Sequence, residues 1–213
     1  MKTLSDILVE ANAYLDLDTS VPTGLELTTR SNYANRAVWE ASAIAQFKEL
    51  EKVYHVGVSN LASIPLPSGF KEFQGAPQLL TSQGRYEPYM EIKPSEIFDM
   101  QLTDKYCYVL GNPREGYTAI FNNLEANCSL TIIYQRFPTG LLTLTDVCEL
   151  PDPEYVTAKV ESFVLQSRRD ARFPIKDAEA ERRLKNMIGR ESKKPGGGNN
   201  QIRRVGASNY VLD

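Results

Sequence analysis

The sequence holds a single histidine, His55, and three cysteines, Cys107, Cys128 and Cys148, with no Cys-x-x-Cys spacing. The usual zinc sites need clustered thiolates and imidazoles, so one chain cannot build them. An odd count of scattered cysteines points to free thiols made in a reducing compartment. Long apolar runs are also missing: nothing approaches the ~18 consecutive apolar residues of a membrane helix. The opening MKTLSDILVEANAYL places Asp6 and Glu10 inside its would-be apolar core, which argues against a signal peptide. Phosphate-cradling loops are absent as well. Gly196-Gly197-Gly198 follows a proline and opens no helical pattern, and neither GxGxxG nor GxxxxGKS/T occurs. There are no internal repeats. A lone histidine at an apparent helix–strand junction reads as a packed or capping residue rather than a general base. Asp16-x-Asp18-x-Ser20 has the spacing of a calcium-loop start, but Val21 and Leu27 stand where that loop needs Gly and Glu, so a polar turn is expected. Nothing points to a cofactor or a metal, and there is no positive case for an enzyme.

What is present is an ordinary globular composition, with 213 residues, 42% hydrophobic and 24% charged. That is enough chain for one large core or two small ones. The net charge of −3 is unevenly spread. From Gln166 onward there are 12 Lys/Arg against 6 Asp/Glu, a balance of +6, whereas the first 165 residues carry 12 against 21, a balance of −9. An acidic body and a basic C-terminal portion suit head-to-tail contact between copies or contact with nucleic acid, and equally two solvated surfaces of opposite sign.

Helical periodicity marks both ends of the chain. Leu4, Ile7, Leu8 and Ala11 predict a helix from Thr3 to about Leu15. Ser31 is expected to cap a second helix, roughly Asn32 to Lys52, with Ala34, Ala37, Val38, Ala41, Ile44 and Ala45 as its stripe. Trp39, the only tryptophan, lies beside that stripe and reads as core or subunit contact. Near the other end, Leu150 to Glu191 predicts a helical hairpin. Asp152 caps the first helix with Pro153 following it, and Val156, Val160, Phe163 and Val164 share one face. Arg172-Phe173-Pro174 is the expected break. Asp177 is the expected cap of the next helix, with Ala180, Leu184, Met187 and Ile188 as its stripe. Arg168, Arg169, Arg172, Arg182 and Arg183 crowd the outside, as intersubunit or DNA-facing charges.

Between the helices the character changes to β. Tyr86 to Lys93 contains Pro88, which fits an edge strand. Pro94 to Ile97 suits one helical turn. Lys105 to Leu110 and Tyr117 to Phe121 flank the turn-rich GNPREG, and Leu130 to Arg136 is the strongest strand pattern. Cys107 and Val109 alternate with Tyr106 and Tyr108, so Cys107 is expected to be buried. The fold class is therefore α+β: residues 1–52 and 150–191 form a helical bundle, and residues 53–149 an inserted antiparallel region, as a meander, small sandwich or barrel. Residues 192–213 follow as an extended tail, a flexible linker SKKPGGGNN with two apolar tips beyond it.

These two N-terminal helices, an insert entered through IPLPSGFKEF, and LPDPEYV…VESFVLQSRRDARF…AEAERRLKNMI resemble, over Thr3 to Glu191, the head-to-tail adaptor (connector) proteins of tailed bacteriophages, and more broadly the tail accessory and tail-tubular gatekeeper group. The resemblance implies a non-enzymatic structural protein of the virion neck, assembled in the host cytoplasm. It implies a ring, usually of twelve copies, below the portal protein and above the next neck or tail protein, with genomic DNA passing through the channel. It also implies that the C-terminal tail docks on the portal or a neighbour, through Gln201, Ile202, Arg203, Arg204, Val205, Tyr210, Val211 and Leu212. The alternative is a sequence-nonspecific nucleic-acid-binding module that uses the basic hairpin.

Overall fold

A computed structural model of the chain describes residues 1–58, 62–101, 103–125 and 128–191. The tail residues named above lie outside the described residues. The architecture is α+β, with helices from both ends of the chain and an antiparallel β region between them.

The hub of the helical unit is α3 (Pro153–Ser167). Asp152 caps it by accepting from the Glu154 N–H, and Pro153 occupies the first turn, where no intrahelical donor is needed. Ten of its fifteen residues are buried, so it is covered on more than the single face its Val156/Val160/Phe163/Val164 stripe predicts. Three helices cover it: α1 (Leu4–Asp16), α2 (Gly24–Ile44) and α4 (Phe173–Glu191). α1 begins at a reciprocal capping box. The Asp6 N–H donates to Thr3 Oγ1 at 3.2 Å and the Thr3 N–H to Asp6 Oδ2 at 2.9 Å, which satisfies two otherwise orphaned donors at the helix start. Ala34, Ala37, Val38 and Ala41 of α2 are all buried, and their small size lets the two backbones approach closely.

Three helix boundaries differ from those expected. Ser31 lies inside α2 rather than at its start, because Leu27 and Arg30 extend the inward face by two turns. That helix stops at Ile44, which is exposed, and Lys71 donates to the freed carbonyls of Ser42 and Ala45. Phe47 and Leu50 then dive into the helical core, and the chain is already a strand at Glu51. The hairpin breaks at Arg168–Asp170, where Arg169 adopts a left-handed φ of 53°. Pro174 therefore sits in the first turn of α4, where it is tolerated. Asp177 is a second-turn residue turned inward, accepting from Lys159 Nζ at 2.8 Å and Ser162 Oγ at 2.9 Å.

The insert is a small sandwich of two sheets over one core. One sheet runs β1 (Glu51–Val58), β9 (Cys128–Arg136), β4 (Gln78–Leu80), β5 (Tyr86–Pro88), with β3 (Phe70–Phe73) also on β9. The other runs β2 (Ser63–Pro65), β8 (Gly116–Phe121), β7 (Tyr106–Asn112), β6 (Met90–Glu91). Leu79, Leu130 and Ile132 of the first sheet meet Ile64, Cys107, Ala119 and Phe121 of the second. At roughly 1.5–3 kcal/mol for each large apolar side chain removed from water, these account for most of its cohesion. The expected edge strand around Pro88 is real but divided. Tyr86–Pro88 closes one sheet, buried Tyr89 turns the corner, and Met90–Glu91 joins the other sheet in a parallel pairing with β7. The β7–β8 turn needs Gly111, at φ 114°, since a Cβ there would lie 2.1 Å from the Gly116 carbonyl oxygen.

The sandwich ends at Arg136, not at residue 149. Leu141, Cys148 and Leu150 belong to the helical core, and Asn35 holds Leu141 by both its carbonyl (3.0 Å) and its N–H (2.7 Å). The two cores are separate clusters. They are joined by Lys71 on the end of α2, by Gln135 Nε2 donating to the Phe47 carbonyl at 2.7 Å, and by Trp39 stacked on Phe137 at 5.0 Å. Trp39 is thus a half-exposed joint residue, not a core residue.

Candidate functional site

The five arginines singled out from the hairpin do not form one surface. Arg168 closes the end of α3 and donates to Asp16 Oδ1 at 2.6 Å and Oδ2 at 3.2 Å, with Glu26 at 3.4 Å. The same two carboxylates hold Arg30, which is only 1% exposed and also donates to Asn12 Oδ1. The hydrogen bond from Arg168, with Arg30 behind it, keeps the Asp16 carboxyl below its usual range. The cluster clamps the end of α1, the start of α2 and the end of α3, which is the work of two buried or half-buried cations and two carboxylates at a helix junction.

Arg172 folds back on Asp170, donating at 2.8 Å from Nη2, and lies over the Tyr14 ring. That hydrogen bond lowers the Asp170 pKa to about 2. Arg183 meets Glu179 at 3.1 Å and Asp152 at 3.7 Å. Lys176 is inserted between Glu161 (2.8 Å) and Glu179 (3.1 Å), 3.8 Å from the centre of the Tyr14 ring. Burial pushes the Glu161 pKa up, against the pull of Lys176. Part of the uneven charge is therefore matched among the described residues, through Arg168, Lys176 and Arg183. Acidic groups on α1, α2 and α3 meet basic groups at the end of α3 and along α4. Only Arg169 and Arg182 of the five are exposed and, among the described residues, unpaired with a carboxylate. Arg182 shares an outward face of α4 with Lys185 and Arg190, and Lys185 has only a loose surface pair with Glu181 at 3.9 Å.

His55 lies within β1, exposed, with Nδ1 3.0 Å from Thr131 Oγ1, rather than at a helix–strand junction. All three cysteines are free and buried, and burial raises Cys107 to about 12 and Cys148 to about 11. At neutral pH those two thiols are protonated and poor nucleophiles. Among the described residues no group of three or more His, Cys, Asp or Glu is placed to hold a metal, and Asp16 is engaged by arginines. No helix among them is long and apolar enough to cross a membrane. A groove of about 550 Å³ opens where the helical unit meets the sandwich, between Trp39, Phe137, Phe70 and Tyr117. Its half-buried cation, Arg136, is tied to Glu149 and Thr139.

Sequence reasoning missed two positioning residues. Arg30 falls four residues before Ala34 and seven before Ala37, in the apolar register of α2, and a charge in that register was the available signal. Lys71 gave no signal, since it acts on α2 from a strand far along the chain. The molecule so defined is an α+β protein whose chain ends build a helical unit around an inserted β-sandwich. No family model matches the sequence, and no curated protein does.

Proposed function

We propose that the chain is a structural neck protein of a tailed bacteriophage. Copies form a ring below the portal, join the DNA-filled head to the tail and extend the channel through which the genome passes. The observation that carries this reading is the division of one subunit into two bodies with separate cores. The helical unit offers a surface to the portal and neighbouring subunits, and the sandwich one to the next neck or tail protein. Their order along the chain is the order the adaptor resemblance implies. Ring contacts of this kind are heterologous and close by rotation, and several copies on one portal gain avidity from modest single contacts. Such a protein assembles in the host cytoplasm and resides in the virion neck. The test is to mix purified chain with portal rings and measure size by light scattering. Co-migration in fixed proportion is expected; a chain that stays free of the rings at every concentration overturns the reading.

A second reading is favoured by the outward face of α4, where Arg182, Lys185 and Arg190 face solvent. It is a nucleic-acid-binding module of sequence-blind, salt-dependent affinity. Titration with duplex DNA across salt separates the two readings. Arg182→Glu should abolish binding under the second, whereas Arg168→Ala should matter little because that guanidinium is held by Asp16.

A further inference from the structure

Sheet edges invite pairing with another chain, and proteins protect them with proline, short strands or charge. Among the described residues five strands have an open side, and four of them are protected in that way: β3 is four residues long and carries Lys71 and Glu72. β5 has three residues and ends at Pro88; β2 has three and ends at Pro65; β6 has only two. β1 is different. It is eight residues long, free of proline, and among the described residues pairs only with β9. Its Val53–Val58 stretch, VYHVGV, carries no Asp, Glu, Lys or Arg and is rich in β-branched residues. Val53 is 55% exposed and lies directly opposite Ile133, which is 40% exposed, so the apolar outer face continues beside the open edge.

We infer that β1 is a docking edge for β1 of a second copy, in antiparallel register about a two-fold axis at Val53. Self-complementarity selects the occupant, and complementary partners for the charges of Glu51 and Lys52, which a two-fold at Val56 would leave outside the pairing, select the register. Centring on Val53 sets Val53 against Val53, Glu51 against His55 and Lys52 against Tyr54. Each contact is then apolar with apolar, anion with imidazole, or cation with aromatic ring. Centring on Lys52 would oppose two lysines, centring on Tyr54 would leave Glu51 and Lys52 facing Gly57 and Val56, and centring on His55 would oppose two histidines. Glu51 and Lys52 have no ion-pair partner among the described residues. His55 uses Nδ1 on Thr131, which leaves Nε2 for Glu51 of the second copy. The joined sheets would run through both sandwiches, and the contact is isologous. It stands apart from the neck reading, whose ring contacts are head-to-tail: each can fail without the other.

The experiment uses the full chain carrying Val53→Cys. Opposed residues in an antiparallel pair have Cα atoms roughly 4.5–5.5 Å apart, within the disulfide range, and the native cysteines are buried and do not compete. Mild oxidation should give a covalent dimer linked 53 to 53, at concentrations where Ile175→Cys, 70% exposed on α4, stays monomeric. In sedimentation, Val53→Lys should raise the dimer dissociation constant by at least about tenfold, since it sets like charges face to face at the centre of the pairing. Cross-linking of Val53→Cys no faster than of Ile175→Cys overturns the inference. So does self-association that Val53→Lys leaves unchanged.

Discussion

The helical unit and the sandwich solve the same problem in opposite ways. Both must bury an apolar surface within one short chain. The helical unit brings its charges to the junctions between helices and pairs them there: Arg30 and Arg168 with Asp16, Lys176 with Glu161, Lys159 with Asp177. The sandwich keeps its interior nearly free of ionised groups and leaves polarity to backbone ladders, one of which ends at an open edge. A helix saturates its own backbone, so its outer side chains are available to fix angles between elements. A strand saturates only the sides that have neighbours, so a finite sheet keeps valences at its edges. The charged clusters therefore describe internal geometry, and the unpaired ladder describes where another chain can attach.

The largest expected effect tests whether the two cores are separate energetically as well as geometrically. Phe121 is 2% exposed and packs on Tyr89 in the sandwich. Phe121→Ala should cost about 4 kcal/mol, through lost transfer energy and the cavity left behind. Hydrogen exchange should then show amides of β7, β8 and β9 losing protection while those of α3 keep theirs. Equal loss in α3 would make the molecule one cooperative body and break the comparison. Next in size is Arg30→Ala. The guanidinium is buried, but its partners Asp16 and Glu26 are partly exposed, so water relieves some of the stranded charge. A cost of about 2 kcal/mol is expected, below the range for fully buried pairs. Thermal melting followed by helical circular dichroism would measure it.

Acid sharpens the same contrast. Asp16 is held below its usual 3.8 by the hydrogen bond from Arg168, against the effect of burial and with help from Arg30. A lowered folded-state pKa means that its contribution is present above 3.8 and is lost as pH falls through the folded value. Glu161 has the opposite sign: burial raises it, so its contribution is complete below its usual 4.5 and lost as pH rises through the folded value. Asp16→Asn should therefore be about 1 kcal/mol less stable at pH 7, discounted for the exposure of the carboxylate, and the gap should close well below pH 4. Melting temperatures of both proteins between pH 7 and pH 3 would show it. A gap constant across that range would mean that the cluster acts through packing alone.

What could be read from the sequence follows the same division. The helical stripes, the Asp152-Pro153 start of α3, the GNPREG hairpin and the β9 pattern are local, and local chemistry shows in local sequence. The start of α2 was misplaced because Ser31 looks like a cap, yet a buried Arg30 with partners on α1 carries the helix past it. β1 was missed because its Glu51-Lys52 opening continues the polar pattern of the preceding segment, and only its ladder with β9 makes Tyr54 and Val56 inward residues. Asp177 reads as a cap until Lys159 and Ser162 are placed beside it. The five arginines read as one basic surface, because a charge count sees the sign of a residue and not its partner.

The smallest expected effect concerns the arginine left over. Arg182 is exposed on α4, and among the described residues no carboxylate pairs with it. Arg182→Glu should change the melting temperature hardly at all, within about 0.5 kcal/mol of the parent, as for other surface positions without a special contact. Arg168→Ala, by contrast, removes a bidentate contact to Asp16 that is 41% exposed, and should cost up to about 1 kcal/mol. Measured side by side, the pair separates charges that hold the helices from charges that are free to meet something else. If Arg182→Glu proves as destabilising as Arg168→Ala, then α4 owes its position to both of its charged faces, and its outer surface is no candidate for a partner.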